Sequence, residues 1–268
     1  MIPVSVLVLT KNEAVNVPHS LPPLVQNFDD VHVLDSHSND GTDKIARDLG
    51  ATVHQFSWNG QYPKKKQWAL ENIPTRYDYV LMVDADEIVT DDFVRELQSL
   101  SLDTDGYFIS SRMVWKEKPL RFGQRNHKLC LFKKSVFSYP PVDDLDIDGG
   151  WEVEGHYQPV PNIQNATIKT IKSPIIHHDR KGNWHDRHDD YISWEVEMTR
   201  RNAWPKDLVS WREWVKTQLR QSWCRPILIF SYGYIFKLGF LDGHAGFDYA
   251  FHRALYTYSI VKTLRGSQ

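Results

Sequence analysis

The chain opens on an unbroken apolar run. Val4-Ser5-Val6-Leu7-Val8-Leu9 lacks the alternation of a half-buried strand and predicts one covered on both faces. It gives way to polar Thr10-Lys11-Asn12-Glu13, and a helix-compatible stretch follows to about Gln26. Val31-His32-Val33-Leu34 predicts a second strand, closed by Asp35. Asp40-Gly41-Thr42 turns the chain into a helix through about Leu49, where Gly50 is a suitable stop. Ala51-Thr52-Val53-His54 predicts a third strand and Lys65 to Asn72 a further helix. Tyr79-Val80-Leu81-Met82-Val83 predicts a fourth strand that runs straight into Asp84-Ala85-Asp86-Glu87.

Strand–helix alternation with short loops predicts an α/β fold, a mostly parallel sheet flanked by helices. Ligands of such sheets bind beyond the carboxyl ends of the strands. Thr10 to Glu13, Asp35 to Asp40, His54 to Gly60 and Asp84 to Glu87 would all meet on that edge, and all four sets are polar. Farther on, Tyr107-Phe108-Ile109-Ser110 and Lys128-Leu129-Cys130-Leu131-Phe132 read as strands, and Thr167 to His177 contains another. The Pro/Asp/Gly-rich stretch from Tyr139 to Gly150 reads as a long functional loop. Helices dominate from about Trp184. The expected division is residues 1–180 as the α/β domain that carries this polar edge and 181–268 as a helical C-terminal extension.

Composition adds modest limits. With 41% hydrophobic and 25% charged residues the chain can build a sizeable core, and a net charge of −2 argues against a nucleic-acid binder. Cys130 and Cys224 form no metal spacing, so a reducing compartment is expected; no charged leader precedes the first strand, so no signal peptide is expected. The charge is uneven. From Arg200 onward eleven Lys/Arg stand against four Asp/Glu, with Trp204, Trp211, Trp214 and Trp223 in one stretch. A basic, Trp-rich tail suits an anionic membrane or an anionic acceptor.

The acidic cluster is the first candidate site. Asp84 and Asp86 face the same way on an extended backbone, and carboxylates suit hard cations such as Mg²⁺ or Mn²⁺ that bridge protein to phosphate. A solvated turn or helix start fits the cluster equally until its place at the sheet edge is considered. Asp35 at a strand end can accept hydrogen bonds from a ribose or base. Asp40 and Thr42 read better as turn and cap residues. In Lys64-Lys65-Lys66, Lys64 reads as solvated charge, whereas for Lys66 contact with a donor diphosphate and solvent exposure are evenly balanced.

Together, Val6-Leu-Val-Leu-Thr-Lys-Asn-Glu13, Val33-Leu-Asp-Ser-His-Ser-Asn-Asp-Gly-Thr42, Lys66-Gln-Trp-Ala-Leu70 and Val83-Asp-Ala-Asp-Glu87 resemble family 2 glycosyltransferases, more narrowly the bacterial lipopolysaccharide-core β-glucosyltransferase-like branch. The resemblance implies a GT-A fold, a nucleoside-diphosphate sugar donor (usually UDP), a divalent cation and inversion at the anomeric carbon. It implies that Asp35 contacts the base, that Thr10, Asn12 and Glu13 line the nucleotide pocket, and that Asp84 and Asp86 bracket ribose, diphosphate and metal, with Asp86 the direct ligand. Ala14-Val15 and Lys66-Gln67-Trp68 depart from the family pattern.

An inverting transfer needs a base for the acceptor hydroxyl, and a carboxylate is the usual one. In the resembling family it comes from the middle region. Glu154 is preferred, then Glu152, with Asp148 and Asp144 behind, against the alternative of surface acids on a loop. The resemblance also implies a histidine metal ligand after the last strand, where His178 is favoured over His177. Arg187 and Tyr191, at i and i+4, could clamp the diphosphate or form an exposed helix face. Pro226 to Leu241 reads as an interfacial helix, or as a core helix with a homodimer contact. Peripheral attachment at the cytoplasmic face of the inner membrane and a glycan or lipid-linked acceptor are the resulting expectations. A nucleotidyltransferase would want a Gly-rich loop after the first strand, which Thr10-Lys11-Asn12-Glu13 lacks; a non-catalytic sugar- or membrane-binding protein of the same fold is the remaining alternative.

Overall fold

A computed structural model describes residues 1–147, 151–155, 157–181, 184–205 and 210–266, without the side chains of 184–189 and 210. The chain divides into two compact units. The first holds residues 1–113, 126–140 and 152–181; the second holds 114–125, 141–151 and 182–268. The second unit therefore includes two stretches that the sequence reading assigned to the α/β domain.

In the first unit the elements follow the apolar pattern. They are β1 (Ser5–Thr10), α1 (Val17–Asn27), β2 (Val31–Asp35), α2 (Thr42–Asp48), β3 (Thr52–Gln55), α3 (Lys65–Asn72), β4 (Tyr79–Asp84), β5 (Glu87–Ile88) and α4 (Asp91–Ser99). Then come β6 (Gly106–Trp115), β7 (Lys118–Pro119), β8 (Asn126–Lys133), β9 (Phe137–Ser138), β10 (Val160–Pro161), β11 (Ile168–Thr170) and β12 (Ile175–His177). β7 belongs to the second unit.

Every residue of β1 and β2 is buried, as continuous apolar strands require when helices cover both faces. The order is β3-β2-β1-β4-β8-β6-β12-β5. β3, β2, β1 and β4 run parallel, which accounts for the alternating helices. Beyond β4 the sheet is mixed: β8 is antiparallel to β4 and β6, and β12 runs parallel to β6 but antiparallel to β5. The result is an α/β fold, parallel in the first half of its sheet only.

α4, absent from the sequence reading, has a clear local cause. Thr90 accepts the Phe93 N–H at 3.1 Å as its cap, Asp91 and Asp92 occupy the first turn, and Phe93, Val94 and Leu97 are buried at helical spacing. Val6, Val8, Leu21, Val33, Leu81, Phe93 and Leu131 share one core that fixes the strand ends.

The second unit contains α5 (Trp184–Arg200), α6 (Ser210–Arg220), α7 (Arg225–Ser231) and α8 (Gly243–Gly266). α7 passes into a wider turn over Tyr232–Phe236, and a short 3-10 turn over Gly239–Asp242 leads into α8. Close backbone approach requires glycine at 246, because a Cβ there would lie 1.9 Å from the Gly239 carbonyl oxygen. Asp144, ranked low as a base, is buried in this unit and accepts the Trp194 indole N–H at 3.0 Å. No helix among the described residues is long and apolar enough to cross a membrane.

Candidate active site

The strand-end loops of the first unit are tied to one another by side chains. Asp35 is fully buried and accepts the Thr10 hydroxyl and the Ser38 N–H, each at 2.8 Å, and the Ser38 hydroxyl as well. Asn12, with a φ of 54°, donates its N–H to Ser38 Oγ at 2.8 Å and accepts the Asn39 N–H at 2.9 Å. The Glu13 N–H donates to Thr42 Oγ1 at 2.7 Å, while Asp40 accepts the N–H groups of Ala14 and Thr42. Asp40 and Thr42 are thus turn residues. Asp35 acts here as the tie between β1 and β2, and contact with a base would exchange one of its present bonds.

Glu13 points inward. It accepts the Asn16 side-chain amide at 2.7 Å and the Lys181 ammonium, yet burial outweighs these contacts and raises its pKa.

The lysine run is not a solvated charge run. Lys64 and Lys65 are both buried. Lys64 places its ammonium 5.6 Å from the Trp58 ring centre and 5.5 Å from that of Tyr62, a cation–π seat invisible without the loop that carries the rings. Lys65 donates to the Thr10 carbonyl at 2.7 Å and to Ser36 Oγ, with Glu152 at 3.6 Å. Burial lowers its pKa to about 8, against the pull of Glu152 and Asp35. Lys66 lies 5.5 Å from the Tyr139 ring centre.

Glu154 is buried at the start of α3. Its two oxygens accept the N–H groups of Lys66 and Gln67 at 2.7 and 2.8 Å, at the positive end of the helix. Burial nonetheless raises its pKa. Glu152 is more accessible, held 3.5 Å from Lys11 and 3.6 Å from Lys65, and its carbonyl accepts the Lys65 N–H at 2.7 Å.

Three acids at a strand end need a cation, and the sequence reading reserved that role for a metal. The structure gives most of it to Lys128 of β8. Its ammonium sits on Asp84 and, at 2.8 Å, on Glu87. Desolvation opposes ionisation of both acids, but Lys128 prevails and lowers both pKa values.

Asp86 is left over. Burial first, then the neighbouring Asp84 and Glu87 charges, raise its pKa, and its Oδ1 is buried with no hydrogen-bond partner among the described residues. Its Oδ2 lies 3.5 Å from His177 Nε2. Although burial opposes protonation, Asp86 and Glu87 raise the His177 pKa to about 9.

Strand register explains the histidine. β12 pairs with β5 so that His177 lies opposite Glu87, and the backbone N–H of His178 donates to the Asp86 carbonyl at 2.8 Å. The His177 ring meets the acid cluster, and His178, the preferred of the two from sequence, meets Asp86 through its main chain.

Asp86 supplies a hard, unsatisfied oxygen donor of the kind Mg²⁺ or Mn²⁺ accepts. Among the described residues no three His, Cys, Asp or Glu side chains form a cage.

Two expected residues belong to the second unit. Tyr191, in the second unit, meets the Trp151 ring of that unit at 4.5 Å, and the Arg187 side chain lies outside the described residues, as does Asp148. Lys65, Lys128 and Lys181 were not singled out as site residues from the sequence, and His177 ranked behind His178. The available signal for Lys128 was a lone charge leading an apolar strand, informative only once that strand is known to flank β4.

Residues 5–184 match the family model described as Glycosyl transferase family 2. The chain belongs to that family. An uncharacterized glycosyltransferase of Rickettsia felis is 31% identical over 143 residues, 51% of this chain and 50% of the relative. One from Rickettsia conorii is 32% identical over the same length and shares of both chains. The chain spans about half the length of the curated relatives it matches. Among solved structures, S. aureus TarS in complex with UDP is 15% identical, with 99% of this chain and 92% of that chain covered and a TM-score of 0.46. Glucosyl-3-phosphoglycerate synthase from Mycobacterium tuberculosis, with Mn²⁺, UDP and glucosyl-3-phosphoglycerate, is 22% identical over 41% of this chain and 43% of that one, with a TM-score of 0.31.

Proposed function

We propose that the protein transfers a sugar from a nucleoside-diphosphate sugar, UDP-linked, to a hydroxyl of a cell-envelope glycan or lipid-linked acceptor, with inversion. The lipopolysaccharide-core branch and the cytoplasmic membrane face belong to this reading and rest on the sequence resemblance. The observation that carries it is the buried Asp86 Oδ1, without a hydrogen-bond partner among the described residues, at the carboxyl edge of the parallel strands, beside the tied loops of Thr10, Asn12, Glu13 and Asp35.

In the transfer, the acceptor oxygen forms a bond to the anomeric carbon as the bond from that carbon to the diphosphate oxygen breaks. The nucleoside diphosphate departs, and the acceptor proton passes to a carboxylate. Thr10, Asn12, Glu13 and Asp35 shape the nucleotide pocket, and Lys66 and Asp84 face the diphosphate and ribose. Asp86 and His177 hold the divalent cation, which when bound neutralises charge on the leaving diphosphate. Lys128 keeps Asp84 and Glu87 ionised and fixed.

Glu154 serves as the base. Two N–H donors orient it, further lone-pair sites remain on its oxygens, and burial strengthens it as a proton acceptor. Glu152 is the alternative. Transfer assays with a panel of nucleotide-sugars, with and without Mn²⁺, test the reading. One donor should be consumed only with metal, and Glu154→Gln should abolish transfer while donor binding persists. Loss of transfer in Glu152→Gln alone would move the base to that residue, and consumption of no donor under any condition would remove the reading.

A further inference from the structure

The second unit carries an apolar surface that glycosyl transfer does not use. Phe236, Ile227 and Ile235 are 74%, 68% and 54% exposed, far more than the interior of a folded unit allows. They do not stand singly. Phe240, Tyr234, Phe247 and Phe251 form a chain of touching rings, with centroids 6.3, 5.5 and 6.0 Å apart in that order. Phe247, Phe251, Leu255 and Tyr258 recur at helical spacing along α8, each more than two-fifths exposed.

Along the segment that carries this surface, the exposed charges are basic. Between Arg225 and Gly266 the acids are Asp242 and Asp248. Asp242 is buried, accepting the N–H groups of Arg121 and Phe122 at 3.1 and 2.8 Å. Asp248 accepts the Trp115 indole N–H at 2.6 Å and pairs with Lys116 at 2.7 Å. Lys237, Lys262 and Arg265 are exposed. A second copy placed on this face would set cations against cations, whereas an anionic lipid surface complements both its charge and its apolar character. Tyr232 at 44% and Trp223 at 49% exposure add rings with a polar edge, suited to the headgroup level. The apolar run from α7 through the Tyr232–Phe236 turn is too short to span a bilayer, so it would lie in the interface.

We infer that the surface formed by the turn after α7 and the exposed face of α8 docks on an anionic lipid bilayer. The inference stands on the second unit alone and does not require the catalytic reading.

The test is co-sedimentation of the full chain, without substrate, with vesicles of phosphatidylcholine alone or mixed with phosphatidylglycerol. Binding to the mixed vesicles should exceed binding to phosphatidylcholine by about ten-fold and weaken with salt. The double substitution Ile235→Asp and Phe236→Asp, at exposed positions, should lose that binding with an unchanged melting temperature. Lys237→Glu, less disruptive to packing, should reduce it. Wild-type protein left in the supernatant with phosphatidylglycerol vesicles overturns the proposal, as does undiminished binding by the double variant. A lipid-free dimer seen by sedimentation velocity and dissolved by the same double variant, with no vesicle binding, would assign the surface to a second copy.

Discussion

His177 Nε2 lies 3.5 Å from Asp86 Oδ2, and among the described residues Asp86 Oδ1 and His177 Nδ1 are buried without a hydrogen-bond partner, Glu87 lying 3.8 Å from the latter. The two are therefore a mutually supporting but incomplete pair. With no cation bound, His177 stays protonated: against the cost of burial, Asp86 and Glu87 raise its pKa to about 9. A raised histidine stabilises the fold fully below its unfolded pKa, ~6.5, and the contribution is lost as pH rises through about 9. NMR titration of the imidazole without metal should show the high midpoint, and Asp86→Asn should bring it down. An ordinary midpoint in both proteins would remove the pair. Mg²⁺ should release the proton, so its affinity should rise with pH.

Lys128 is the standing counter-ion of the cluster. Lys128→Met would leave Glu87 buried beside Asp84 with, among the described residues, only His177, 3.8 Å away, to offset it, and because the lysine is partly exposed the expected loss is about 1–3 kcal/mol. Urea unfolding measures it. A midpoint equal to wild type would mean that the acids are neutralised in some other way.

Lys65 gives the opposite pH signature. Burial lowers its pKa to about 8, so between about 8 and 10.5 the unfolded chain holds a proton that the folded chain has released. The penalty is complete below about 8, and stability from this group rises with pH across that window. Comparing wild type with Lys65→Met by urea unfolding at pH 7 and pH 10 isolates it. The wild-type gain should be missing from the variant, and identical pH profiles would mean that Lys65 is not desolvated.

Gly246 is where α8 meets the preceding turn. Gly246→Ala would press a methyl group to 1.9 Å from the Gly239 carbonyl oxygen and 3.0 Å from the Asp242 Cβ, both in main-chain-bound positions. The second unit should lose about 2–4 kcal/mol, read as a drop in melting temperature. Gly266→Ala, with open space around its Cβ, is the control and should be neutral. Equal melting temperatures for the two variants would contradict this packing.

The first four strands were legible because β1, β2 and β4 are apolar runs ended by polar turns, and that pattern depends only on neighbours in sequence. The mixed half was not. β5 is two residues long, and its pairing with β12, which decides between His177 and His178, joins positions about ninety residues apart. Lys64 read as solvent-facing, and Lys65 drew no reading of its own, because a charge run has no period. Their burial depends on Trp58 and Tyr62 for one, and on the Thr10 carbonyl and Ser36 for the other. The place of Asp86 at the sheet edge was legible because it follows a parallel strand, while its choice over Asp84 as ligand rested on the family resemblance. Its isolation from Lys128 could only come from the fold.

The central claim is that Asp86 joins a divalent cation and a nucleotide at this edge. Calorimetric titration of UDP into wild type and Asp86→Asn, each with and without Mn²⁺, tests it most directly. Wild type should bind UDP tightly only with Mn²⁺, and the folded variant should lose that metal-dependent gain. Equal UDP affinity in both proteins, whether or not Mn²⁺ is present, would contradict the account.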